Sequence, residues 1–194
     1  MSTKRIEALT DGIFAIAMTI LILNINVPSA TTESETLIKS LVDQIEFFFD
    51  YFLAFFLLAL FWVASHRQFH YIRTADQTFL WLSILQLTFI VLIPYTTIIY
   101  SKFRNLQPAA VIYELNMLTV SIIMSSLWLY ATNKRRLVDK DLDEKVIRIG
   151  KRRGQVAAGV SIVAIAISFV SPENSTLAYL SMPVLMRFIG RSTK

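Results

Sequence analysis

No cysteine occurs in the chain. That excludes disulfides, thiolate metal sites and thiol catalysis together. Glycine is scarce as well, with five residues at positions 12, 150, 154, 159 and 190. None sits in a T-V-G-Y-G stretch, so a filter built from rings of backbone carbonyls is excluded too. Charged residues are only 17% of the 194, where a soluble domain carries about a quarter. Apolar residues fill the difference, at 55%. They fall into long runs, which marks an all-α integral membrane protein of several spans. The first run is too long for a signal-peptide core and no small-residue cleavage site follows it, so no cleavable signal peptide is expected.

A span needs about 20 apolar residues at 1.5 Å each. Six are expected, at Leu9–Val27, Phe47–Ser65, Phe79–Tyr100, Ala109–Ala131, Gln155–Val170 and Thr176–Ile189, forming a single membrane domain over residues 1–194. The last two are short, and Pro183 interrupts the sixth. Pro172, Glu173 and Asn174 between them form a turn signal and imply a tight hairpin. The competing reading is five spans with a final segment lying on the membrane surface. No internal repeat, low-complexity stretch or second soluble domain is evident.

Charge sets the orientation. With both termini cytoplasmic, the inner segments hold Lys4, Arg5, Arg67, Arg73, the nine basic residues from Lys134 to Arg153, Arg187, Arg191 and Lys194, which is 16 of the 19 lysines and arginines. Only Lys39, Lys102 and Arg104 lie outside, and the first outer loop is acidic, with Glu33, Glu35, Asp43 and Glu46. This split follows the positive-inside rule. It accounts for the net charge of +5 with no nucleic-acid partner. The alternating charges from Asn133 to Arg153 predict a solvated loop or short helix near anionic headgroups.

The stretch RIEALTDGIFAIAMTILILNINVP, from Arg5 to Pro28, is the most informative. On a helix, Gly12, Ile16, Thr19, Ile20, Leu23 and Val27 form one stripe. It is bulky and apolar, with one hydroxyl in the middle. Ala15 and Ala17 flank it and permit close helix approach. Either the stripe packs against other helices, with Thr19 bonding its own i−4 carbonyl, or it faces something else. Thr10-Asp11-Gly12 reads as an N-cap. Arg5 and Asp11 are six apart, so they meet only if the chain unwinds before Thr10. Otherwise they need other partners. His66 and Arg67, beside Trp62 at the cytoplasmic end of the second span, are available.

Arg5-x-x-x-Leu9-Thr10-Asp11-Gly12, followed by Ile13 to Thr19, resembles the R-x-x-x-F-S-D signature that opens the first helix of the TMEM175 family of potassium channels. Phe61, Trp62 and His66 resemble its F-W-x-x-x-H end of the second span. The likeness implies a homotetramer in the cell membrane, with the first helix of each subunit lining a central pore. It implies a constriction of Ile16, Ile20 and Leu23, a selectivity role for Thr19, and a polar network of Arg5, Thr10, Asp11, Trp62 and His66 that holds the pore helix. K+ is the implied permeant ion, with no cofactor. Two departures stand out. Leu9-Thr10 replaces Phe-Ser, and Asn24 stands where many relatives carry an acid. Glu33 and Glu35 are then the acids available to the outer mouth.

A secondary transporter is the competing function. It calls for mid-membrane charges and internal repeats, whereas Asp50 and Glu114 fall near span ends. His66 and His70 are spaced i, i+4 as metal ligands can be, but no H-E-x-x-H glutamate accompanies them.

Topology follows directly. A cysteine introduced at Ser2 should react with membrane-impermeant reagent only after the membrane is opened. Labelling of intact cells would invert or break the six-span arrangement.

Overall fold

The computed structural model describes residues 3–24, Val27 and 34–191. Among the described residues seven α-helices follow one another: α1 Thr3–Ile20, α2 Ser34–Val42, α3 Ile45–Tyr71, α4 Gln77–Lys102, α5 Gln107–Thr132, α6 Glu144–Ser168 and α7 Met182–Arg191. Three 3₁₀ segments extend them, Leu21–Asn24 after α1, Asn133–Arg135 after α5 and Pro172–Ser181 before α7. Among the described residues, four helical stretches are long and apolar enough to cross a membrane: Thr3–Leu23, Ile45–Tyr71, Gln77–Lys102 and Gln107–Arg135.

These match the first four expected spans, with shifted ends. α1 starts six residues before Leu9, and α3 runs six residues past Ser65. Hydropathy marks where lipid begins, not where the helix begins. Below the apolar run, Ile6 still packs into a core cluster with Ile72, Phe79, Ile123 and Leu127. α1 therefore gains by continuing through Thr10 and Asp11.

The N-cap reading of Thr10-Asp11-Gly12 is thereby corrected. All three residues lie inside α1, and the buried Thr10 hydroxyl donates to the Ile6 carbonyl at 2.9 Å. A true cap serves α4 instead, where Asp76 accepts from the Phe79 N–H at 2.8 Å. Burial pushes the Asp76 carboxyl up. The Phe79 N–H, the Tyr130 hydroxyl and the Arg136 charge outweigh that and hold it below the usual range.

The stretch from Asn133 to Arg153 is less solvated than its charges suggest. Lys134 and Arg135 turn the chain through left-handed backbone, at φ 51° and 52°. The following residues fold back under α3 and α4. Leu137 and Val138 are buried, the Arg73 N–H donates to the Leu137 carbonyl at 2.8 Å, and Arg73 pairs with Asp139 at 2.7 Å. α6 is already formed at Glu144, so the expected fifth span is only its apolar second half.

The expected sixth span is no regular helix. Pro172–Ser181 is a ten-residue 3₁₀ run, where runs beyond three or four residues are uncommon. Pro183 does not interrupt a helix; it is the second residue of α7, a position that tolerates the missing N–H.

α5 is the axis of the packing, with α4 on one side and α6 on the other. The α5–α6 approach depends on glycine. A Cβ on Gly150 would lie 2.3 Å from the Trp128 indole nitrogen, and one on Gly154 2.2 Å from Ser125 Oγ. Trp128 cannot yield easily, being buried with its N–H on the Ile147 carbonyl at 3.1 Å. Gly12 on α1 has nothing within 4 Å of such a Cβ.

Gly150→Ala should therefore lower thermal stability in detergent, by about 1–3 kcal/mol for overpacking less the gain in helix propensity. Gly12→Ala should not destabilise the single chain. Equal melting temperatures for the two variants would refute the close α5–α6 approach.

Candidate functional site

α1 has two faces. Ile6, Thr10, Phe14, Ala17 and Leu21 are buried, at helical spacings of three and four. Phe14, Ala17 and Leu21 join the main core with Leu53, Leu57 and Ile90, among others. This packing holds α1 against α3 and α4. The other face is Gly12, Ile16, Thr19 and Ile20, continued by Leu23 on the 3₁₀ turn; every one is exposed in the single chain, as is Val27 beyond the helix. Ile16 is 51% exposed and Leu23 78%. The stripe read from the sequence is thus the face that the rest of the chain leaves uncovered. Packing within the chain does not explain it. Ala17 faces the core, whereas Ala15 is exposed.

Thr19 sits in the middle of this face. Its hydroxyl points back to the Ala15 carbonyl at 3.0 Å and the Ile16 carbonyl at 2.9 Å. That is the expected i−4 bond, shared with i−3.

The change from α to 3₁₀ after Ile20 affects the register. Three α-helical steps would leave Leu23 about 60° away from Ile20, whereas three 3₁₀ steps of about 120° complete a turn. The tightening therefore brings Leu23 towards the Ile20 azimuth. Asn24 closes the turn. Its side chain, that of Glu35, and the whole of Glu33 lie outside the described residues, as do Asn26 and Pro28.

At the N-terminal end of α1, two i, i+4 pairs face each other. Glu7 and Asp11 lie on α1, Trp62 and His66 on α3. The Trp62 indole N–H donates to Asp11 Oδ1 at 2.8 Å. The Trp62 and His66 rings stack with centroids 5.9 Å apart. His66 Nδ1 lies 3.7 Å from Glu7 Oε1, an ion pair when His66 is protonated. Of the five residues expected in the polar network, Asp11, Trp62 and His66 come together. Thr10 does not join them, because its hydroxyl is committed to its own helix. Arg5 does not either: α1 stays wound, so Arg5 and Asp11 point to different sides, and Arg5 forms no ion pair among the described residues. Glu7 was missed. Its spacing from Asp11, matching that of Trp62 and His66, was the available signal.

Two more carboxyls, Asp50 and Glu114, lie in the first third of α3 and of α5, towards the span ends as expected. Asp50 is buried on α3, paired with Arg104 at 2.6 Å and accepting from Ser101 at 2.8 Å. Glu114 on α5 is fully buried. Its signal was periodicity: it shares a buried face with Ala110, Met117 and Val120.

Several apolar helices long enough to cross a bilayer define a multi-pass membrane protein. Residues 5–94 match the family described as "Endosomal/lysosomal potassium channel TMEM175". A potassium channel of Chamaesiphon minutus is 30% identical over 173 residues, covering 87% of this chain and 85% of that one. The crystal structure of a lysosomal potassium-selective channel TMEM175 homolog from Chamaesiphon minutus superposes with a TM-score of 0.81 at 28% identity, covering 99% of this chain and 98% of that one. The endosomal/lysosomal proton channel TMEM175 of Mus musculus is 39% identical over 97 residues, 46% of this chain and 19% of its own length. The chain belongs to the TMEM175 family, which is a family of ion channels and not of enzymes.

The Asp11–Trp62 bond should show as a coupling. In a double-mutant cycle of Asp11→Ala and Trp62→Phe, thermal stability should reveal about 1 kcal/mol of interaction, the net value of one hydrogen bond. Additive losses would mean that the two side chains are independently solvated.

Proposed function

We propose that this chain assembles as a homotetramer in the cell membrane and forms a potassium-permeable cation channel, with α1 of each subunit lining the central pore. The observation that carries the proposal is the exposed apolar face of α1. A single α1 cannot enclose a path, so symmetric copies are required. The C. minutus relatives, described as potassium channels, support K+ as the permeant ion.

Each subunit crosses the membrane six times as one domain, with both termini cytoplasmic. α6 gives the fifth crossing. The Pro172–Ser181 run and α7 give the sixth, because ten 3₁₀ and ten α-helical residues span roughly 35 Å. Irregular backbone is tolerated at that depth where protein covers it. The 3₁₀ run lies against α5 and α6, which supports this path.

Ile16, Ile20 and Leu23 form the constriction. Four copies make three apolar rings about 6 Å apart. A cation cannot shed water into aliphatic walls, and a narrow apolar neck dries, so this is a gate without a carbonyl filter. Thr19 acts on selectivity. A hydroxyl has one proton and two lone pairs. The proton is held by the helix's own carbonyls, which leaves oxygen lone pairs for a cation on the exposed face. Asp11, Trp62 and His66, with Glu7, fix the inner end of α1. K+ is cargo, and no resident cofactor is required.

The name of the mouse relative makes H+ the competing permeant ion. Vesicles holding purified protein, with potassium and pH reporters run in parallel, separate the two. Ile16→Asn should wet the neck and raise basal cation flux per assembled tetramer. Thr19→Val removes four hydroxyls at nearly constant volume, so potassium preference over sodium should fall while the closed state stays tight. A well-folded Ile16→Asn tetramer with no added flux would remove Ile16 from the pore. A conducting monomer would remove the pore itself.

A further inference from the structure

The channel reading leaves unused two arginines, one where α3 ends and one where the apolar half of α6 begins. Contacts with α5 bring these two ends together. Gly150 lets α6 close on Trp128, whose ring meets Tyr71 of α3 edge-on with centroids 6.2 Å apart. One turn before Tyr71, the Gln68 amide donates to the Met124 carbonyl at 3.2 Å. Arg67 shares the Tyr71 face of α3, being four residues before it, and Arg153 stands three residues after Gly150 on α6. The two guanidinium groups come close enough for the charge of Arg67 to act on Arg153.

This pair has no counter-ion. Burial acts against the charge on Arg153, and the neighbouring charge of Arg67 adds to it. A guanidinium stays charged nonetheless. Among the described residues neither arginine forms an ion pair, and Arg153 Nε is enclosed with no acceptor. Acids nearby in the chain are committed elsewhere. Glu144 pairs with Arg135 at 2.6 Å, Asp139 with Arg73 at 2.7 Å, and Glu7 faces His66 at 3.7 Å. Asp143 accepts from the Lys145 N–H at 2.8 Å. An enclosed donor beside two like charges is costly until an anion completes the group.

Depth says which anion. Arg67 lies two residues past the apolar run that ends at Ser65, and Arg153 two residues before the one that starts at Gln155. Both stand just outside the hydrocarbon, at the level of the lipid phosphates. Their side of the membrane is that of the α1 N-terminal end, where Trp62 and His66 meet Asp11 and Glu7. Arg67 is exposed and Arg153 half-buried, so an oxyanion can enter from the headgroup layer. Two planar forks match its oxygens, and rotation of the Arg153 side chain turns Nε outward to meet it. We propose that Arg67 and Arg153 clamp the phosphate of an anionic phospholipid, of the phosphatidylglycerol class, between α3 and α6. Basic pockets between membrane helices suit such headgroups. The inference goes beyond ion conduction and does not depend on which ion the channel passes.

The test titrates purified full-length protein, stripped of lipid in detergent, with three ligands: phosphatidylglycerol, the phosphatidylcholine of the same chains, and inorganic phosphate. Native mass spectrometry counts the lipid bound, and thermal unfolding follows all three. Phosphatidylglycerol should bind and raise the melting temperature. Phosphatidylcholine, neutral overall, and inorganic phosphate at equal concentration should not. Arg153→Gln should weaken phosphatidylglycerol about tenfold, the worth of one hydrogen bond to a charged group. Arg67→Gln should do the same, and it carries the test if Arg153→Gln does not fold. Arg148→Gln removes an exposed charge from the same end of α6 and should weaken binding far less. Equal losses in the Arg148 and Arg67 variants would reveal a diffuse basic surface and overturn the site. Inorganic phosphate acting as well as phosphatidylglycerol would show a free-anion site and refute the lipid. Without lipid, Arg67→Gln relieves repulsion and should melt no lower than the native protein. A lower melting temperature would mean that Arg67 already holds a partner within the protein, and would also overturn the proposal.

Discussion

Everything at the candidate pore depends on one contact, the burial of a single face of α1 against α3 and α4. In lipid this contact has no hydrophobic drive, because acyl chains are as apolar as leucine. Van der Waals packing and hydrogen bonds must hold it. The packing is supplied by Phe14 and Ala17, each only 1% exposed, which let a ring and a close backbone approach alternate along the seam. Because that face is fixed, the opposite face is fixed too. Rotating α1 to cover Ile16 would pull Phe14 out of the core.

Polar ties secure both ends of this packing. At one end Trp62 reaches Asp11 and His66 faces Glu7, so two turns of α1 are laced to two turns of α3. At the other end Asp50 binds Ser101 and Arg104, joining the start of α3 to the end of α4. A charge pair near hydrocarbon is costly to leave unpaired, so these ties resist sliding more than their net stability suggests. The middle of the α1 seam is apolar. The helix is anchored near its N-terminal end, and its partners α3 and α4 are tied to each other at the opposite end, which leaves the exposed stripe between two fixed levels.

How much of this was legible depended on which physical signal each feature leaves. α3, α4 and α5 were legible because long apolar runs end in polar residues. The start of α1 was not, because Thr10-Asp11-Gly12 has cap chemistry and only tertiary contact at Ile6 tells the helix to begin earlier. The stripe on α1 was legible from its period, but its exposure in the single chain was not, since spacing cannot say what a face meets. The 3₁₀ runs after Ile20 and Pro172 leave no periodic signal at all. Leu137 and Val138 were hidden among charges, although two adjacent aliphatics in a basic loop are themselves a sign of burial. Glu114 was placed correctly along its helix, but its burial went unread, because counting residues from a span end measures depth, not the side that the residue faces.

The departure at Asn24 can be weighed on the same terms. In the proposed tetramer, with α1 lining the pore and its N-terminus inside, the C-terminal ends of four helices would converge at the outer mouth. A helix C-terminus carries about half a negative charge, localised on its last carbonyls. The 3₁₀ turn at Leu21–Asn24 bonds some of those carbonyls internally, but keeps their dipoles aligned with the axis. Four such ends present roughly two negative charges to an approaching cation, close to half of what four ionised carboxylates would supply. Such a mouth would attract cations without an acid at position 24, but less strongly, and through a field that no pH change can neutralise.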